Sequence, residues 1–170
     1  KAFSEFAAIE LDMCESVEEF REKAMGLGYG SVGEEDSWED IFFKILLEKV
    51  EPALSRVGPV FLLDYPARMA ALAKLKEANP DWAERVELYI GGMELANGFT
   101  ELNDPREQRQ RFNEERKRRL LAGNSPLPLD EEFLTMMEQG MPPAGGMALG
   151  VDRLVMLLAG AETIAEVVAF

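Results

Sequence analysis

The chain has 170 residues, enough for one domain with a sizeable core, and its composition is 47% hydrophobic and 29% charged, as in ordinary soluble globular proteins. The formal net charge of −14 argues against general nucleic-acid binding, which needs a basic face, though not against a local basic patch. There is no histidine and one cysteine, Cys14, so His-based triads, His-ligated metals and an intramolecular disulfide are all excluded. A lone cysteine fits a reducing, cytoplasmic setting, and no apolar run is long enough to predict a membrane span.

"EFAAIELDM" (5–13) alternates and predicts a strand carrying Glu5 and Glu10. "SVEEFREKAMGLG" (16–28) predicts a helix with Ser16 as N-cap and a glycine stop. A polar loop then leads to a second helix over 37–54, capped by Ser37 and ended by Pro52. "GPVFLLDYP" (58–66) is a continuous apolar run and predicts a buried strand. "RVELYI" is a further strand, and Gly91-Gly92 predicts a hairpin turn before "MELANGFTEL". Asp104-Pro105 opens a long helix to about Leu121, stopped at Gly123. Asp130 caps a short helix ending at Gly140. The Gly-rich stretch before Val151 then feeds a last helix, stopped at Gly160. Because the hairpin is antiparallel, the predicted class is α+β, an antiparallel sheet flanked by helices.

Three constellations carry chemistry. In the hairpin, Glu87 and Glu94 are seven residues apart across the Gly-Gly turn. If the arms pair, the carboxylates approach, and a cation relieves their repulsion. Mg²⁺, with its preference for oxygen ligands, suits such a pair. Asn97 and Glu101 form a second set. The odd Glu94–Asn97 spacing requires a bend, which Gly98 makes cheap, and a pocket rimmed by Asn97 and Glu101 suits an ammonium group. The alternative is a solvated hairpin with surface glutamates.

The second constellation is "GGMALGVDRL" (145–154). Here a helix N-terminus and Arg153 favour an anion, although neither a Walker loop nor a dinucleotide fingerprint is present. A plain capped helix with a surface arginine is the alternative. The third is the stretch 105–119, with seven basic and three acidic residues, net +4. It is either a solvated helix with Glu114–Arg118 and Glu115–Arg119 pairs or a docking face for an acidic partner.

"RVELYIGGMELANGFTELNDPREQRQRF" and "GMALGVDRLVMLLAGAETIAEVVAF" together closely resemble the catalytic core of class II lysyl-tRNA synthetases. The second stretch looks like their motif 3, and "SEFAAIELDM" looks like the second strand of motif 2. The resemblance covers nearly the whole chain. It implies that residues 1–170 are the C-terminal part of such a catalytic domain, from the end of motif 2 through motif 3. Motif 1 and the motif 2 arginine are expected before Lys1.

Ala96 and Ala148, where tRNA-charging enzymes tend to carry glycine, make the chain look more like the elongation factor P–lysine ligase paralogues. That likeness implies ATP-dependent activation of lysine or β-lysine as an aminoacyl-adenylate, followed by transfer to a lysine of elongation factor P. A lysyl-tRNA synthetase fragment, and a non-catalytic relic, are the rivals. ATP and Mg²⁺ are the implied cofactors. A homodimer is implied for the full-length protein, with tRNA less favoured as a partner.

Residue by residue, the resemblance implies Mg²⁺ on Glu87 and Glu94. It implies nucleotide contacts at Leu95 and Gly150, with Arg153 on the γ-phosphate. It places Asn97, Phe99 and Glu101 in the amino-acid pocket, Glu101 on the side-chain ammonium, Glu10 on the α-amino group and Ala148 on the pocket floor. Asp12 stands where the family has a pocket tyrosine.

Overall fold

The computed structural model describes residues 1–168. Its centre is a five-stranded antiparallel sheet: β1 (Val60–Pro66), β2 (Leu75–Lys76), β3 (Asn79–Ile90), β4 (Met93–Thr100) and β5 (Gly145–Leu149). The order is β1-β3-β4-β5, with the short β2 also pairing with β3. The predicted α+β class, an antiparallel sheet flanked by helices, is the one observed.

The hairpin forms where the glycines mark it. Gly91 and Gly92 have φ of 63° and 80°, so a two-residue turn with two left-handed positions joins Ile90 to Met93. Gly92 is required for a second reason. A Cβ there would lie 2.9 Å from Ser55 Cβ, because the turn packs on the helix beneath it.

Register fixes which residues share a face. One row runs Leu62–Glu87–Asn97–Ala148 across four strands, and its neighbours are Val60–Tyr89–Glu94 and Arg85–Phe99–Gly146. On the opposite face the rows are Phe61–Leu88–Ala96–Leu149 and Leu63–Val86–Gly98–Met147.

Helices cover the first face over β1 and β3. They are α1 (Ala2–Ala7), α2 (Val17–Gly26), α3 (Trp38–Ile45) and α4 (Glu51–Leu54). The core between these layers holds Phe3, Phe20, Trp38, Phe42, Tyr65 and Tyr89, with Phe3 stacked on Phe42 at 4.5 Å. The opposite face is open: Phe61 and Leu63 are 58% and 60% exposed. The sequence therefore overstates the burial of 58–66, which is an edge strand with one wet side.

Capping follows the sequence closely. Ser16 and Ser37 both form capping boxes, with Glu19 and Asp40 respectively. Asp104 accepts from the Arg106 and Glu107 amides at the start of α5 (Pro105–Leu121). Asp130 accepts from the Phe133 amide at the start of α6 (Glu131–Glu138), and α7 (Val151–Ala159) ends at Gly160 with φ 67°.

Two segments depart from expectation. Residues 5–13 form no strand. The chain is helical over Ala2–Ala7 and turns at Ala8 (φ 57°), where the Ile9 N–H closes on the Phe3 carbonyl; a 3₁₀ turn then follows over Leu11–Met13. Phe3, Phe6 and Ala7 sit at helical spacing, Phe3 and Ala7 are buried, and the helix satisfies its own backbone groups without a neighbouring strand. Pro52 does not stop its helix either. The preceding turn widens into a π-helical stretch over Leu46–Val50, and helix resumes to Leu54.

Candidate functional site

β4 is not a regular strand. Leu88 pairs with Ala96 and Tyr89 with Glu94, so Leu95 is an extra residue, a β-bulge. The bulge turns Glu94 onto the face that carries Asn97 and Glu87, which the odd spacing of a regular strand forbids. The expected bend thus occurs at Leu95 rather than at Gly98. Gly98 serves close packing instead: a Cβ there would lie 2.7 Å from the Gly146 carbonyl oxygen of β5.

Glu87 is 5% exposed and sits at the centre of a polar network. Its Oε1 accepts from Arg85 Nη2 at 2.6 Å and from Asn97 Nδ2 at 2.8 Å. Its Oε2 accepts from the Tyr65 hydroxyl and from Tyr89 Oη at 2.8 Å. The Arg85 guanidinium also lies 4.5 Å from the Tyr65 ring centroid and donates to the Met69 carbonyl. Burial, then the neighbouring Glu87 charge, pushes the Tyr65 and Tyr89 hydroxyls well above the usual phenol range, so both remain donors.

Asn97 links the two glutamates. Its amide nitrogen reaches Glu87 Oε1 at 2.8 Å and Glu94 Oε1 at 3.4 Å, which uses both of its protons. The reverse amide orientation would set an oxygen against two carboxylates. Ala148 is directly across from Asn97 on β5 and is exposed.

Arg153, in the first turn of α7, comes to the same place. Its Nη1 donates to the Glu94 carbonyl at 2.6 Å and lies 3.7 Å from Glu94 Oε2, while its side chain stays 48% exposed. Gly150 caps α7, and its N–H donates to the Leu95 carbonyl at 2.9 Å, tying the helix to the bulge. The Leu95 side chain is buried.

Glu101 continues this face beyond the end of β4. Its backbone bridges Ala73, and one carboxylate oxygen lies 3.0 Å from where a Cβ on Gly146 would stand. Among the described residues this carboxylate accepts no hydrogen bond and makes no ion pair. Phe99, between Asn97 and Glu101 along β4, packs against the cluster of Ala70, Ala73 and Ala83.

Glu94, Leu95, Asn97, Phe99 and Glu101 are therefore spread along β4 from the turn to just past its far end, with Ala148, Gly150 and Arg153 beside them from β5 and α7. Glu10 is not joined to them by any hydrogen bond. It lies between α1 and the 3₁₀ turn, and its carboxylate accepts from the Ser4 hydroxyl, because 5–13 is not the strand that would carry it to the sheet. Asp12 is exposed on that 3₁₀ turn.

The metal pair fits unevenly. All four lone-pair positions of Glu87 are taken by protein donors, whereas Glu94 is part-exposed and loosely held at 3.4 and 3.7 Å. Among the described residues no group of three or more Cys, Asp or Glu side chains is arranged to hold a metal ion. Of the pair, Glu94 is the one with free oxygens for a metal ion in this arrangement.

Sequence reasoning missed Tyr65, Arg85, Tyr89 and Glu51, whose Oε1 lies 3.2 Å from Tyr89 Oη. Arg85 and Tyr89 were legible as polar groups two positions either side of Glu87 in an apolar strand, whereas Tyr65 lies on β1 and carries no such spacing. Glu51 had no local signal, since it reads as one more acidic residue at a helix end. On α5 the predicted Glu114–Arg118 and Glu115–Arg119 pairs are not formed. Arg118 pairs with Glu115 and Arg119 donates to the Ser125 carbonyl, while Arg109 pairs with Glu131 and Arg111 with Glu107. Much of the helix's positive charge is thus spent within the chain.

The family model for class II tRNA synthetases (D, K and N) matches residues 12–170. A lysine–tRNA ligase of Carboxydothermus hydrogenoformans is 44% identical over 148 residues, which is 87% of this chain and 30% of that protein. An elongation factor P–(R)-β-lysine ligase of Edwardsiella ictaluri is 43% identical over 153 residues, 89% of this chain and 47% of that protein. A lysine–tRNA ligase of Moorella thermoacetica is 40% identical over 171 residues, spanning 100% of this chain and 34% of that protein. The chain thus spans less than half the length of these relatives. With a family match over most of its length, the chain belongs to the class II tRNA synthetases of the D, K and N group.

Proposed function

We propose that the protein containing this chain activates lysine or β-lysine with ATP, giving an aminoacyl-adenylate and pyrophosphate, and passes the acyl group to a lysine of elongation factor P. One observation carries the substrate reading: the carboxylate of Glu101 has no partner among the described residues and lies on the face shared by Asn97 and Ala148. An unpaired carboxylate beside a glycine floor suits an ammonium group. Asn97, held by Glu87, keeps its amide oxygen free to orient the substrate. Arg153 exchanges the Glu94 carbonyl for phosphate oxygens, a charge-assisted contact that is stronger than the one it leaves. The work is positioning and neutralisation of phosphate charge, with no covalent enzyme intermediate.

Mg²⁺ on the triphosphate would be met by Glu94, and it supplies neutralising charge there. Glu87 joins it only by giving up a donor from Arg85, Asn97 or a tyrosine, so its first role in this reading is to hold Asn97.

Elongation factor P as acceptor is supported by Ala148 opposite Asn97, where a methyl narrows the space beside the substrate. Transfer to tRNA is the second reading, supported by the 44% identity to a relative named as a lysine–tRNA ligase against 43% to one named as an elongation factor P–(R)-β-lysine ligase. Lysine-dependent ATP–pyrophosphate exchange by the full-length protein tests activation. Acceptor assays with elongation factor P and tRNA then separate the two readings. Glu101→Gln is expected to weaken lysine binding about tenfold or more, since a charge-assisted contact contributes roughly 1.5–3 kcal/mol; calorimetry with unchanged affinity would remove Glu101 from the pocket.

A further inference from the structure

Glu51 is a carboxylate that reaches the Glu87 network from outside the hairpin. It opens α4, and the Gly91-Gly92 turn packs onto that helix so closely that a Cβ on Gly92 would be 3.5 Å from the Glu51 carbonyl oxygen. This contact sets Glu51 Oε1 3.2 Å from Tyr89 Oη. The same hydroxyl is 2.8 Å from Glu87 Oε2. One hydroxyl has one proton, so Tyr89 donates to one carboxylate, and the other must donate to Tyr89 or face it unpaired.

We propose that Glu51 is a positioning residue for the amino-acid pocket. Through Tyr89 it fixes Glu87, and through Glu87 it fixes Asn97. The chain is short: Glu51 to Tyr89, Tyr89 to Glu87 Oε2, Glu87 Oε1 to Asn97 Nδ2 at 2.8 Å. Glu51 in its acid form donates to Tyr89 Oη, which frees the Tyr89 proton for Glu87. Burial, together with the nearby charges of Glu87 and Glu94, raises its pKa and favours that form, while the Tyr89 hydrogen bond and Arg153 act against it. Glu51 touches no substrate atom in this scheme. The inference rests on the reading of Asn97 as a substrate contact.

The test is a double-mutant cycle in the full-length protein, read by lysine-dependent pyrophosphate exchange. E51A is expected to raise the apparent KM for the amino acid about fivefold with kcat within about twofold, the scale of one lost hydrogen bond in a network. E51Q keeps a group that can donate to or accept from Tyr89, and is expected to stay within about twofold of the wild type. Y89F should match E51A, and the double variant should be no worse than either, because the two act as a unit. Additive effects, an unchanged KM in E51A, or a loss in E51Q equal to that in E51A would each overturn the role. A wild type that shows no lysine-dependent exchange would overturn the activation reading itself, which is a separate outcome.

Discussion

Glu87 shows how one buried carboxylate organises a site. It takes a charge-assisted hydrogen bond from Arg85, neutral ones from Tyr65, Tyr89 and Asn97, and leaves no oxygen lone pair idle. Removing one partner of such a pair leaves the other charge uncompensated, at a cost of about 3–5 kcal/mol. E87A is therefore expected to lower stability by about that amount in urea denaturation, with E87Q losing less. Glu51 adds a pH signature. Its folded pKa is raised, chiefly by burial, so the folded state binds its proton more tightly than the unfolded state. The stability it contributes is complete below the ordinary glutamate range and is lost as pH rises through the folded value. Measured upward from about pH 4, the denaturation midpoint of the wild type should fall relative to that of E51Q, which isolates Glu51 from the other carboxylates. Equal slopes would remove Glu51 as the source.

Among the elements, the hairpin is the one whose local rules and tertiary needs coincide. Gly91 and Gly92 supply the two positive φ values, and Gly92 also admits α4. Gly98 is held by packing alone. Its φ is unremarkable, but a side chain would drive into the β5 backbone 2.7 Å away. Gly98→Ala is expected to cost about 1–3 kcal/mol, the usual range for overpacking. A variant as stable as the wild type would show that β5 can move aside. The helix ends were legible because capping is a matter of a few neighbouring residues: Ser16, Ser37, Asp104 and Asp130 all cap where the sequence sets them. The segment 5–13 was not legible. Its alternation fits a strand, yet Phe3, Phe6 and Ala7 also fit a helical stripe, and only the choice of packing partner separates the two periods.

At the scale of the whole molecule the sheet is asymmetric. One face carries the helical layer and the site; the other exposes Phe61, Leu63, Met147 and Leu149, with exposures from 48% to 60%. A contiguous apolar face of this kind promotes association in solution. The 170-residue chain with Phe61→Lys and Leu63→Lys together is expected to self-associate less than the wild type in sedimentation experiments, with a similar unfolding midpoint, because neither side chain is buried. A large loss of stability would mean that the face is packed. No helix among the described residues is long and apolar enough to cross a membrane.

The sequence by itself determined the α+β class, the hairpin with its two-residue turn, the capped helices and the short set Glu94, Asn97, Glu101 and Arg153 as chemistry worth locating. Those features depend on residues a few positions apart, where propensity, capping and turn conformation act directly. Only the tertiary structure decided that a bulge at Leu95 puts Glu94 beside Asn97, and that Arg153 reaches the Glu94 carbonyl from 59 residues away. It alone decided that α4 brings Glu51 to Tyr89 and that Glu87 is filled by four donors. Each of these is a contact between distant segments. Its energy comes from packing and from satisfying buried polar groups, and neither has a period or a spacing along the chain.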